Sequence, residues 1–491
     1  MGFEEAFVFV VVGFVASYCQ RSPSLNTTKI IFLWIGTIAL PCLAIAWVAF
    51  NQTSLHLTFA MTGYLLGIWI YHNWLTTTAS TEVLSLTPSE EKQLKECFSP
   101  TIYHHKDLEY RAHEIYCRGS LRSQNYKYAY ETISQNIHKI FGDRFLCYLQ
   151  ESPIENLGRG FGVLSNDQQS TKYCFYLIPQ QNVTQIEQSR PNQQSYRCAC
   201  LVSIMSILLT ACTVLLVGAH IHHLEDLTLD NLKIGIPYLI CIASIAIARL
   251  IAYWAITSKH KLRFEPIILL PCFGGFGLLG HFHLNPQIST NPNNQRQILF
   301  DLAVIPTVAS LVISTILLIL GNWLLVPMES ANSTMTTSLL MPNLHNFDSK
   351  NSIFVTLLQS MFAIGESEPI VTNATESIRL LSPLTLAGWT GLGINALQLL
   401  PFRFLDGGNL SLSMFSYRQT TQIARIARII LLAIALLAQP WLRIYSLLLF
   451  LLPIPQPLVV NESIEIDKTR DLIGIGLMVI ALLIILPMTR L

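Results

Sequence analysis

Nine apolar runs of helix-spanning length divide the chain, near residues 5–20, 30–50, 56–75, 198–218, 234–256, 299–326, 378–402, 428–453 and 471–488, each bounded by polar or charged positions. About 20 apolar residues cross the roughly 30 Å hydrocarbon layer as a helix, because only a helix or a closed barrel pairs its own backbone groups there. The pattern predicts a mostly α, polytopic membrane protein. Gln439, Pro440 and Arg443 interrupt the run 428–453 and predict a break or two short helices. The first run follows Glu4 and Glu5 rather than Lys or Arg and has no small-x-small site near its end, so it is expected to be a retained span.

Between the third and fourth runs the pattern changes. Lys127–Phe141 has helical periodicity, and Arg144–Leu149, Gly160–Leu164 and Tyr173–Ile178 are strand-like runs separated by Gly, Asn, Asp and Ser. The expected organisation is a three-span membrane segment over 1–76, a small soluble α+β domain over 77–197, and a membrane core over 198–491. Basic residues gather in alternate loops, at Arg21 and Lys29, at Lys259, Lys261 and Arg263, and at Arg403, Arg418, Arg425 and Arg428. The intervening loops 220–230 and 327–377 are acidic, with Lys350 the sole base of the second. By the positive-inside rule the soluble domain then faces the cytoplasm or the stroma and the N-terminus faces out.

Composition agrees with the pattern. Of 491 residues 51% are hydrophobic and 12% charged, and mean hydropathy is +0.45, which excludes a single soluble domain. A net charge of +1 gives no footprint for nucleic acid. The 11 cysteines are scattered with no Cys-x-x-Cys pair, as expected of small apolar core residues rather than a disulfide framework or structural zinc site.

Several motifs in order carry a resemblance. Leu208-Leu209-Thr210-Ala211-Cys212-Thr213 with Gly218-Ala219 precedes an apolar segment, Leu239–Ile256. Phe273-Gly274-Gly275-Phe276-Gly277 follows it, then Phe300-Asp301-Leu302-Ala303 with Pro306. Ala387-Gly388-Trp389-Thr390-Gly391-Leu392 leads to Leu399-Leu400-Pro401 and Leu405-Asp406-Gly407-Gly408. Over roughly residues 125–488 the chain resembles the site-2 protease family of intramembrane zinc metalloproteases, in its EGY-type plastid and cyanobacterial branch.

The resemblance implies a site-2-protease-like transmembrane core in which two His of a His-Glu-x-x-His helix and a distant Asp hold zinc while the Glu activates water. At that register this chain reads Ala248-Arg249-Leu250-Ile251-Ala252, and no Glu or His lies within 234–256. The resemblance makes Asp406 the relic third ligand. Gln398 stands where the family has an Asn three residues before Pro401, and the Gly expected before Pro306 is missing. Two readings of Arg249 stay open: an ion pair with Asp406 that replaces the metal, or an arginine snorkelling toward the interface near Lys259.

A metal held by displaced ligands is the alternative, with His281 and His283 two apart on an extended backbone together with Asp406. His220, His222 and His223 form a second group across the membrane. The retained Gly274, Gly275 and Gly277, with Gln398 and Pro401, are the expected substrate-binding positions, since the family's hairpin adds a substrate strand. The sequence thus implies a non-proteolytic family member, without resident zinc, that sits among membrane lipid and binds transmembrane client proteins or supports assembly of a membrane complex. An active zinc protease and a structural subunit or assembly factor of a photosynthetic complex are the alternatives, and a cyanobacterial thylakoid or plasma membrane is the expected setting. No paired intramembrane acids or inverted repeat suggest a transporter.

Overall fold

The computed structural model describes residues 86–151 apart from 111–113 and 124, then 173–179, 193–220, 233–260, 262, 267–271, 278–283, 292–323, 352–361, 382–439 apart from 403–404, 442, 446 and 459–488. The three N-terminal runs, the strand expected at Gly160–Leu164 and the glycines Gly274, Gly275 and Gly277 lie outside the described residues.

A small sheet stands ahead of the membrane helices. Helix α1 (Pro88–Cys97) is followed by β1 (Tyr103–Tyr110), β2 (Ile115–Leu121), α2 (Tyr126–Phe141), β3 (Phe145–Glu151) and β4 (Tyr173–Pro179), with strand order β1-β2-β4-β3 and every pairing antiparallel. Helix α2 forms because Ala129, Tyr130, Ile133 and Ile137 fall on one buried stripe. Asn125 caps its start by accepting the Tyr128 N–H at 3.1 Å, and Gly142, at φ 58°, ends it. That stripe packs on Ile115, Cys117, Cys147, Leu149, Phe175 and Leu177. Burial pushes the Cys97 thiol up to about 11 and Cys117 further, so these cysteines are apolar packing groups rather than thiolates. The strand pair β1–β2 was not expected. Polar His104, His105, Lys106, Asp107 and Glu109 mask its alternation, as on an edge strand that faces water.

Helix α1 starts with a capping box in which Glu90 accepts the Thr87 N–H at 3.0 Å and pairs with Arg144. These bonds, the Thr87 N–H first, hold the Glu90 carboxyl at about 2, below its ordinary 4.5. A depressed folded value means stability present above 4.5 and lost as pH falls toward 2. Glu90→Ala should therefore lower amide protection in α1 at pH 6, with the difference from wild type vanishing near pH 2, as read by hydrogen exchange.

The membrane part consists of α3 (Gln193–His220), α4 (Ile236–Lys259), the hairpin β5 (Ile267–Pro271) and β6 (Leu278–His283), α5 (Gln295–Trp323), α6 (Ile353–Met361), α7 (Pro383–Gln398), α8 (Asp406–Met414), α9 (Tyr417–Leu437) and α10 (Lys468–Ile485). Among the described residues three helices, α4, α5 and α9, are long and apolar enough to cross a membrane. Two boundaries differ from the hydropathy pattern. In the run 378–402 the helix ends at Gln398, because the chain turns at Leu399–Pro401. The run 428–453 yields a helix that starts earlier, at Tyr417 behind a Ser416 capping box, and stops before Pro440. Gln439 then donates to the Ile485 carbonyl at 3.1 Å.

Helices α5 and α7 lie against each other at backbone contact. A Cβ on Gly388 would stand 2.6 Å from the Leu318 nitrogen, and one on Gly391 would strike the Ser314 hydroxyl. Small residues at a helix crossing permit this approach, where dispersion and hydrogen bonds supply the attraction that water supplies elsewhere. Helix α4 packs on both through Tyr238, Ile242 and Ile245, in one cluster with Leu386, Ala387 and Ile394 of α7 and Ile313 and Leu317 of α5.

The sheet is tied to the end of this bundle where α5 and α9 begin. Glu462 accepts the Tyr417 N–H at 2.7 Å and the Glu151 N–H at 3.0 Å, and its own N–H donates to the Leu149 carbonyl at 2.8 Å. Burial pushes the Glu462 carboxyl up. Arg296 donates to the Phe415 carbonyl at 2.9 Å and the Ile464 carbonyl at 3.3 Å. The far face of the sheet, with Tyr116, Tyr148, Cys174 and Tyr176, is buried too, with Val459 packed on it.

Candidate functional site

Arg249 lies on the buried stripe of α4 that Tyr238, Ile242, Ile245, Tyr253 and Ile256 define, so the helical period turns its guanidinium toward α5 and α7. Only 6% of the residue is exposed, and Asp406 is exposed by 5%. The two form an ion pair, Nη2 to Oδ2. Asp406 opens α8, where the helix dipole and unpaired N–H groups favour a carboxylate.

Further polar groups surround the pair. Arg249 Nη1 donates to Ser310 Oγ at 3.2 Å and Asn395 Oδ1 at 3.3 Å. The Ser310 hydroxyl donates to Asn395 Oδ1 at 2.5 Å, and the Thr307 hydroxyl reaches Asp406 Oδ2 at 3.4 Å. Asn395 is oriented by its own Nδ2, which donates to the Gly391 carbonyl at 2.8 Å. Four helices thus meet at one guanidinium. Isolated charges at this depth would be costly, whereas a hydrogen-bonded pair carries no net charge into the apolar core.

The amide at the site is that of Asn395, one helical turn before the Gln398 that the motif pointed to. Gln398 is buried at the end of α7, and Pro401 lies in the turn that leads into α8. Ala248 and Ala252 are half-buried on the flank of α4 beside Arg249. His281 and His283 lie on β6 opposite Leu269 and Ile267. His222 and His223 lie outside the described residues. Asp301 stands apart from the Arg249 site, 3.5 Å from both His260 and Arg470. Sequence reasoning missed Asn395, Ser310 and Thr307. The only signal for them was a polar position inside an apolar run, at the spacing that faces another helix.

The zinc that the resemblance implies does not fit these side chains. Catalytic zinc takes three protein donors and keeps an open position, but Ala248 and Ala252 have no donor atom and Arg249 is itself a cation. The remaining carboxylate, Asp406, is already paired with that cation. Among the described residues no group of three or more His, Cys, Asp or Glu is placed to hold a metal ion.

Three apolar helices of spanning length and a buried polar centre built from distant helices define the class as a helical integral membrane protein. The profile of peptidase family M50 matches residues 144–438, more than half of the chain, and the chain belongs to that family. It is 23% identical over 382 residues to two rice proteins, each named "Probable zinc metalloprotease EGY2, chloroplastic", from Oryza sativa subsp. indica and subsp. japonica. The alignment covers 76% of this chain and 61% of each relative, so the chain spans less than two thirds of their length. No solved structure matches it.

Proposed function

We propose that this M50 member does not cleave peptide bonds and instead holds transmembrane segments of other proteins, as a client-binding or complex-assembly factor. One observation carries the reading: the Arg249–Asp406 pair occupies the centre where the family's mechanism needs a metal, its ligands and a carboxylate base. A guanidinium in a nest of hydroxyl and amide groups cannot take a proton from water, and it repels a divalent ion. Among the described residues, α4, α5, α7 and α8 still pack together around that centre. The chloroplast designation of the rice relatives supports a plastid or cyanobacterial setting, and the distribution of basic loops supports placing the sheet domain on the cytoplasmic or stromal side.

Zinc content tests this reading. Full-length protein purified in detergent is expected to hold far less than one zinc per chain, and Asp406→Ala and His281→Ala/His283→Ala should not change that value. About one zinc per chain, lost in either variant, would establish displaced ligands and an active peptidase.

A further inference from the structure

Two arginines stand inside the apolar span α9. Arg425 and Arg428 lie about two and three turns past Tyr417, where the sheet domain is tied to the helix, and Ile429, Ile430 and Leu431 follow them. A charge within a span is costly unless it is paired or reaches the polar layer of the bilayer. Arg249 has Asp406, and Arg418, in the first turn of α9, has the Glu151 carboxylate at 3.6 Å. Arg428 has no such partner among the described residues. Its Nε is buried with no hydrogen-bond acceptor, and its guanidinium carbon lies 5.4 Å from the centroid of the Phe402 ring. Phe402 is buried in the turn between α7 and α8, so the stack fixes where that cation sits. The exposed Arg425 is three residues earlier, on the same face of the helix. Helical side chains lean toward the N-terminus, which here is the end at the sheet domain, so both guanidiniums reach back toward the headgroup layer. Beside them Ile426, Ile429 and Ile430 are 57%, 65% and 49% exposed, and α9 is the least covered of the three spans among the described residues.

We propose that Arg425 and Arg428 together bind the phosphate of one anionic lipid headgroup, whose acyl chains lie along the isoleucine surface of α9. Two guanidiniums one turn apart repel each other, and a phosphate between them accepts N–H bonds from both in the planar geometry that suits arginine. Basic groups at the cytoplasmic end of spanning helices are where anionic headgroups are held. Charge complementarity calls for an anion, and the setting selects a lipid to supply it. A phospholipid carries its anion at headgroup depth with hydrocarbon directly beneath, which matches arginines that reach back over an exposed apolar face. The site is separate from the Arg249–Asp406 centre and does not depend on whether that centre is catalytic.

The experiment titrates full-length protein in detergent with phosphatidylglycerol or phosphatidylcholine of matched acyl chains and counts bound lipid by native mass spectrometry. Wild type should bind phosphatidylglycerol more tightly. Each arginine near an anionic headgroup contributes about fivefold in affinity, equivalent to about 1 kcal/mol, so Arg425→Gln/Arg428→Gln should lose about thirtyfold for phosphatidylglycerol and nothing for phosphatidylcholine. The single variants should each lose about fivefold, which keeps the test open if the double variant does not fold. Arg425→Lys/Arg428→Lys retains the charge and should retain most of the affinity. Equal affinity of wild type for the two lipids, or glutamine variants that bind phosphatidylglycerol as wild type does, would overturn the proposal. Excess soluble glycerol phosphate should leave the lipid bound; its displacement would make the occupant a free phosphate compound and overturn the assignment to lipid. A photo-crosslinker at position 429 in native membranes should capture lipid. Capture of another protein's acidic segment, or of this chain's own residues, would overturn it as well.

Discussion

Asp406→Ala is expected to lower the unfolding free energy of the detergent-solubilised protein by about 3–5 kcal/mol, the range for removing one partner of a buried ion pair. The variant keeps the Arg249 guanidinium 6% exposed among Ser310 and Asn395, neither of which carries charge. Arg249→Met/Asp406→Leu removes both charges and should recover most of the loss, since well-packed apolar replacements of a buried pair are close to neutral or stabilising. The pattern across the two variants distinguishes the pair from a snorkelling arginine. If Arg249 reached its partners at the interface instead, Asp406→Ala would fall within about 1 kcal/mol of wild type, as for exposed pairs. Reversible denaturant titration followed by tryptophan fluorescence gives both numbers.

The second large effect is expected at Gly407→Ala. A Cβ there would meet the Leu399 carbonyl oxygen and carbon and the Leu400 carbonyl oxygen, all backbone atoms at the corner between α7 and α8. A flexible side chain yields to one extra methyl group, but these carbonyls are fixed, Leu399 by the end of α7 and Leu400 by the Phe402 N–H at 2.7 Å. Overpacking of this kind costs about 1–3 kcal/mol, and the upper end applies because no rotamer relieves it. The way out is to move α8 away from α7, which draws Asp406 from Arg249. Gly407→Ala should therefore destabilise the wild-type background more than Arg249→Met/Asp406→Leu, in which there is no pair to break. Equal losses in the two backgrounds would show that the corner and the pair are independent.

The site was partly legible in the chain because a charge inside an apolar helix has few physical excuses. Arg249 and Asp406 stood out on those grounds and by their place in the motif order. Asn395, Ser310 and Thr307 did not, since small hydroxyl and amide side chains bond to their own helix carbonyls as often as across it. Thr307 does both, donating to the Ala303 carbonyl at 2.8 Å and reaching Asp406. Gln398 was favoured over Asn395 by motif spacing, and the two differ by about one turn, so both point inward and only packing shows which amide meets the guanidinium. The β1–β2 pair was missed for a related reason: its outer residues are polar, and period-2 hydrophobicity fades when water covers one edge.

By itself the sequence determined that this chain lives in a bilayer, because apolar runs of that length have no other solvent that suits them, and that the residues at 248, 249 and 252 lack the donors of a zinc helix, because side-chain chemistry does not depend on folding. It also marked the interruption at Gln439 and Pro440 in the run 428–453. Tertiary structure alone decided that Arg249 meets Asp406 across 157 positions of chain, that Asn395 rather than Gln398 completes the contact, and that the tyrosine face of the sheet is buried with Val459 packed on it. The physical reason is that a charge in a low-dielectric interior is stabilised only by a partner within a few ångströms, and which distant residue comes that close is set by helix crossings that no local pattern encodes.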